Sequence, residues 1–201
     1  MSQQSTCFRG RMWHIGWLMC AMLLLAPLLS PAQASEAKVT RIEPEIIDQQ
    51  LMLDVDFQLS LGAMVRDAVE RGVPLHFAVD LEIASPRWWW FDKVLVQTSM
   101  SRRVTFNTLT RQWRVASGDL FMPVGSLDEA LEIISRIRGW PVAPTDRFDP
   151  GVKYEGRLRL RLDASQLALP LQIESSKRSD WALTSAWKPF DFSIRRPGTA
   201  P

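Results

Sequence analysis

Apolar and polar residues alternate with period two in several stretches of this chain, and the alternation sets its architecture. Leu51, Leu53, Val55, Phe57 and Leu59 stand on one side of a run whose other side holds Asp54, Asp56 and Gln58. A comparable run over residues 39–47 precedes it, with Asp48-Gln49-Gln50 between. Successive side chains leave opposite faces of a strand, so the pair predicts a half-buried β-hairpin. The period then changes. Leu61, Met64, Val65, Ala68 and Val69 recur at helical spacing, Ser60 can cap the first turn, and Gly72 is placed to stop the last, which predicts a helix over 61–71. Alternation returns over 73–83, where Val73, Leu75, Phe77, Val79, Leu81 and Ile83 oppose His76, Asp80 and Glu82. A long strand-like run follows through Val94, Val96, Val104 and Phe106, then a hairpin of 110–116 and 120–124 about Ser117-Gly118-Asp119.

Ser126-Leu127-Asp128-Glu129 has the spacing of a capping box, so a second helix is expected over 127–138, with Leu127, Ala130, Leu131, Ile134 and Ile137 as its apolar stripe and Gly139 as its stop. The proline-bearing stretch 140–151 reads as a loop. A third clear strand, 153–163, sets Tyr154, Leu158, Leu160 and Leu162 against Arg157, Arg159 and Arg161. A final strand pair is expected at 171–173 and 181–194, and residues 195–201 read as a disordered tail. No internal repeat or low-complexity linker interrupts 35–194. The expected fold is therefore a single β-rich α+β domain, an antiparallel meander forming a curved sheet or sandwich with two short helices.

The N-terminus has a different pattern. Arg9 and Arg11 lead into an apolar stretch from Met12 to Leu29, and Pro31 precedes Ala32-Gln33-Ala34. A basic start, an apolar middle and a small-x-small end describe a signal peptide over residues 1–34, cleaved after Ala34 for export to the periplasm. The other reading is an uncleaved inner-membrane anchor, but the stretch is shorter than most spans. Cys20 follows Leu18-Met19 rather than small residues, so lipidation is not favoured.

Cleavage changes the inventory of usable groups. It removes Cys7, Cys20 and His14, leaving no thiol and His76 as the single imidazole. Loss of Arg9 and Arg11 lowers Lys+Arg from 24 to the 22 of Asp+Glu. A balanced charge gives no support for nucleic-acid binding, which draws its affinity from neutralised phosphates. Disulfides and a cysteine nucleophile are excluded within the mature chain, as is a closed zinc site of nitrogen and sulfur ligands. No metal or other cofactor is expected, and no second apolar run is long enough to cross a bilayer.

Several residues remain as candidates. His76 lies mid-strand, where a surface or packed histidine is favoured over a catalytic triad member. Asp80 and Glu82 share a strand face at a repeat of about 6.6 Å, a spacing open to carboxylate-pair hydrolysis, although a solvated strand face is the favoured reading. Trp88, Trp89, Trp90 and Phe91 suggest either core packing or an exposed recognition surface. Arg157, Arg159 and Arg161 would form a positive stripe for an acidic partner or anionic lipid, or would pair across strands with Asp54 and Asp56 or with Asp80 and Glu82.

Gly72-Val73-Pro74-Leu75-His76-Phe77, Arg87-Trp88-Trp89-Trp90-Phe91-Asp92, Leu109-Thr110-Arg111-Gln112-Trp113-Arg114-Val115 and Leu158 through Leu167 together resemble a proteobacterial exported family, domain of unknown function 4390. Ser126 to Leu131 and Asp180 to Trp187 extend the resemblance over nearly the whole mature chain. Trp89 and Trp113 depart from the family's tyrosines, and Ala168 from a proline. The resemblance implies export in a Gram-negative bacterium and genes often beside a sensor histidine kinase, and it carries no catalytic group. The expected function is a periplasmic, non-enzymatic interaction module, with an envelope or inner-membrane sensor protein as partner, through the Trp88–Phe91 region or the arginine stripe. The alternatives are a structural envelope protein contacting anionic lipid or cell wall, and a hydrolase using Asp80 and Glu82.

Overall fold

Two adjacent residues with positive φ, Asp48 and Gln49, turn the first hairpin, joining β1 (Glu36–Ile47) to β2 (Gln50–Ser60). This is the conformation that matches the twist of a two-residue hairpin loop. The structure is a computed structural model that describes residues 35–85, 93–167 and 181–194. The leader, the tryptophan cluster at 88–91, the expected strand at 171–173 and the tail at 195–201 lie outside the described residues.

Nine strands form two antiparallel sheets among the described residues. The smaller has the order β1-β2-β7 and the larger β6-β5-β4-β3-β8-β9, where β3 is Leu75–Ser85, β4 Lys93–Asn107, β5 Gln112–Ser117, β6 Leu120–Val124, β7 Arg136–Pro144, β8 Lys153–Leu162 and β9 Lys188–Ser193. Neither sheet closes into a barrel. The alternating pattern decides which faces meet. Leu51, Leu53, Val55 and Phe57 of the small sheet are buried in one cluster with Leu75, Phe77, Val79, Leu81, Leu158 and Leu160 of the large one. β1 lies against β8 and β9, and β7 against β4. The expected β-rich α+β architecture is the one observed.

Two helices cover the edges of this core. α1 (Ala63–Glu70) buries Val65 and Val69, and it begins after Gly62 rather than at a Ser60 cap, because Ser60 still belongs to β2. Gly72, at φ +93°, ends it: the Gly72 N–H donates to Val69 O at 2.9 Å and the Val73 N–H to Ala68 O at 3.1 Å. These two bonds satisfy carbonyls that the helix end would otherwise orphan. α2 (Leu127–Ser135) buries Leu127, Ala130, Leu131 and Ile134. Its Ser126 Oγ accepts from the Glu129 N–H at 3.1 Å, while the Glu129 carboxylate accepts from the Gly125 N–H at 2.7 Å, one residue before the capping serine.

The stretch after α2 corrects the sequence reading. The helix stops at Ser135, and residues 136–144 are a strand rather than a helix end and a loop. Gly139 does adopt φ +58°, but as a bulge. Leu53 pairs with Trp140 and Val55 with Ile137, so Asp54 faces an extra residue, and the Gly139 N–H donates to Asp54 Oδ1 at 2.7 Å. Pro141 and Pro144 are tolerated because β7 is an edge strand, where a missing N–H breaks no ladder. The helix end is closed from across the core instead, by Arg102, whose guanidinium donates to Ile133 O at 2.6 Å and Arg136 O at 3.3 Å. Burial lowers the Arg102 pKa from its ordinary value.

Candidate functional site: a paired arginine face and an open apolar edge

The outer face of the large sheet is polar over β3 and β8, because these strands spend their apolar positions on the core. Registers put Asp80 opposite Arg159 on one side and Ser99 on the other, and Glu82 opposite Arg157 and Gln97. Asp80 is the hub. Its Oδ2 accepts from Arg159 Nε and from Arg161 Nε, each at 3.0 Å, and its Oδ1 accepts from Ser99 Oγ at 3.1 Å. Glu82 Oε2 accepts from Arg157 Nε at 2.8 Å, and Arg161 also reaches Asp163 at 3.3 Å. Of the two sets of acids open to the stripe from the sequence, Asp80 and Glu82 are the partners. Asp54 and Asp56 belong to the other sheet, where they pair with Arg138.

Electrostatics follow from this geometry. Burial alone would raise the Asp80 pKa, but the hydrogen bonds from Arg161, Arg159 and Ser99 outweigh it and hold the carboxyl below its ordinary value. Asp163 is lowered in the same way, burial opposing the bonds from Ser165 and Arg161. His76 sits on the same face, opposite Arg103. Burial lowers its pKa and Arg103 lowers it further, with Asp163 opposing, so it favours the neutral form. Among the described residues, no group of three or more His, Cys, Asp or Glu side chains could hold a metal ion.

One aromatic residue on this face was not singled out by sequence reasoning. Trp187 lies over the guanidinium carbons of Arg159 and Arg157, 4.5 Å and 4.9 Å from its ring centroid. Its position is set by the preceding segment, which runs beside β8: Ser185 N–H donates to Leu160 O at 2.8 Å, and Ser185 Oγ accepts from the Leu160 N–H at 3.0 Å. Trp113, Trp140 and Trp181 are by contrast buried in the core. The sequence reading places residues 181–194 in one strand, whereas only Lys188–Ser193 forms β9 and Trp187 ends the irregular segment before it.

The second feature is β6, which among the described residues stands last in the large sheet with no strand on its outer side. Leu120, Phe121 and Met122 are 80%, 67% and 53% exposed. Cross-strand partners alternate, Ser117 with Leu120, Ala116 with Phe121 and Val115 with Met122, so apolar side chains project from both faces of the edge. Adjacent exposed large apolar residues on a sheet edge are a recognised sign of a contact surface. Pro123 has no N–H, which weakens backbone pairing with an added strand and leaves side-chain contact as the main means of recognition.

The family model described as Domain of unknown function (DUF4390) matches residues 34–191. The chain belongs to this family. The DUF4390 match takes in both sheets, both helices, the arginine face and the β6 edge. No curated protein and no solved structure matches the chain. Among the described residues no helix is long and apolar enough to cross a membrane.

Proposed function

We propose that this DUF4390 chain is an exported, non-enzymatic interaction module of the cell envelope, and that an apolar segment of another envelope protein packs against β6. The observation that supports this reading is the run Leu120-Phe121-Met122, apolar, exposed and on an open sheet edge. An inner-membrane sensor protein is the first partner to test. The leader is removed after Ala34 in this reading, and the intact mass of the chain recovered from the periplasm should begin at Ser35. A mass that retains earlier residues overturns that step.

The other readings draw less support from the same geometry. All three stripe arginines already have carboxylate partners, so the face has no net positive charge to attract an extended anionic lipid surface or wall polymer along its length, only a few directed N–H donors. A hydrolytic carboxylate pair needs one member held protonated, whereas Asp80 is stabilised as the anion and Glu82 is bonded to Arg157.

The test is affinity isolation of the tagged full chain from solubilised envelopes, alongside Phe121→Asp and Gln97→Ala. Retention of one envelope protein by the wild type and Gln97→Ala, with loss in Phe121→Asp, is the expected result. Equal retention by all three contradicts the reading, as does β6-dependent self-association with no heterologous partner.

A further inference from the structure

The arginine face also encloses a shallow cavity of about 370 Å³, lined by Asp80, Glu82, Gln97, Ser99, Arg161 and Trp187, with Arg159 between them. It is separate from the β6 edge and lies over β4, β3 and β8, each flanked by neighbouring strands on both sides. Backbone donors and acceptors there are consumed by the ladders, so an extended peptide could not add itself as a strand. Anything bound must be read by side chains alone.

Those side chains have a definite chemistry. Arg159 and Arg161 both give their Nε to Asp80. The terminal nitrogens of Arg159 have no hydrogen-bond partner among the described residues, and Arg161 uses one of its two on Asp163. The two guanidinium charges are balanced by Asp80 and Asp163, so what the face offers is not net positive charge but the directed N–H donors left over, which suit the fork of a single further carboxylate. Gln97 and Ser99 add an amide and a hydroxyl that can meet hydroxyl groups. Trp187 supplies an aromatic wall beside the arginines: one face of its ring is covered by the Arg157 and Arg159 guanidinium groups, and the ring edge and opposite face are what a ligand can meet. A carboxylate, several hydroxyls and a face of C–H bonds are the features of an acidic sugar ring. The mostly polar lining disfavours an apolar ligand.

We propose that this cavity binds a carboxylated saccharide, a uronic acid ring free or at a chain end, with its carboxylate on Arg159 and Arg161 and its C–H face on Trp187. The site goes beyond the interaction reading and does not depend on β6. The measurement is calorimetric titration of the full chain with D-glucuronate, D-glucose, acetate and tri-galacturonate. D-Glucuronate should bind with one site per chain, and D-glucose and acetate at least about tenfold more weakly, since each lacks half of the recognised features. Binding of the monomer alone assigns a free sugar acid, and binding of the trimer as well assigns a polymer end.

Arg159→Gln should weaken D-glucuronate at least about tenfold, and Arg159→Lys should lose most of that affinity too, because an ammonium cannot offer a planar fork. Trp187→Ala, outside the buried core, should cost several-fold and serves if Arg159→Gln fails to fold. No heat with D-glucuronate, equal affinity for D-glucose or acetate, or wild-type affinity in the Trp187→Ala and Arg159→Lys variants overturns the proposal. The interaction reading is untouched by those outcomes, because it is measured at Phe121.

Discussion

Replacing Asp80 by asparagine isolates the charge at the centre of the arginine face while nearly preserving its shape. The aspartate side chain is 18% exposed and accepts from two guanidinium groups that are themselves about one-third exposed. A hydrogen bond to a charged group contributes roughly 1.5–3 kcal/mol and a neutral one about 0.5–1.5. The amide oxygen can still accept, so each of the two arginine bonds loses on the order of 1 kcal/mol, and solvent screening of the partly exposed arginines trims the total to about 1–2 kcal/mol. For a domain of this size that corresponds to a fall in Tm of about 2–8 °C at pH 7. The pH dependence is the sharper test. Asp80 has a lower pKa folded than unfolded, so its contribution is complete above the unfolded value near 3.9 and disappears as pH falls through the folded value. Arginine does not titrate in that range. Thermal melts followed by circular dichroism should show a gap between wild type and Asp80→Asn at pH 7 that narrows below pH 4. No gap at pH 7, or one of constant size down to pH 2.5, refutes the electrostatic account of this face.

Three further outcomes follow from the packing. Ser126→Ala removes the oxygen that accepts from the Glu129 N–H and should cost about 0.5–2 kcal/mol in urea melts. Gly156→Ala places a methyl group against the Phe190 ring on the neighbouring strand, which should destabilise by about 1–3 kcal/mol, and Phe190→Leu in the same chain should recover much of it. Phe121→Asp, at an exposed edge, should change stability by less than about 0.5 kcal/mol, so that any loss of binding reports contact rather than unfolding.

What could be read in advance depended on whether one face of an element had to be buried. β2, β3 and β8 announce themselves because Leu51-Leu53-Val55, Leu75-Phe77-Val79 and Leu158-Leu160-Leu162 mark the core side without ambiguity. β7 did not, since Pro141, Pro144 and a left-handed Gly139 look like loop signals until the strand is known to be an edge carrying a bulge. The arginine stripe was visible as a period-two set, but its partners depend on register, which long-range pairing decides. Leu120-Phe121-Met122 read simply as an apolar strand. Its exposure follows from β6 standing last in the sheet, and strand order is not written in local pattern. Trp187 owes its place to Ser185 bonding with Leu160, a contact 25 residues apart.

The contact surface itself can be tested most directly with a photoreactive amino acid placed in growing cells at position 121 on the open edge, and separately at position 97 on the arginine face. Irradiation should give a discrete crosslinked product with another envelope protein from position 121 and little or none from position 97. Crosslinks of equal yield from both positions, or from position 97 alone, would contradict β6 as the surface through which this chain works.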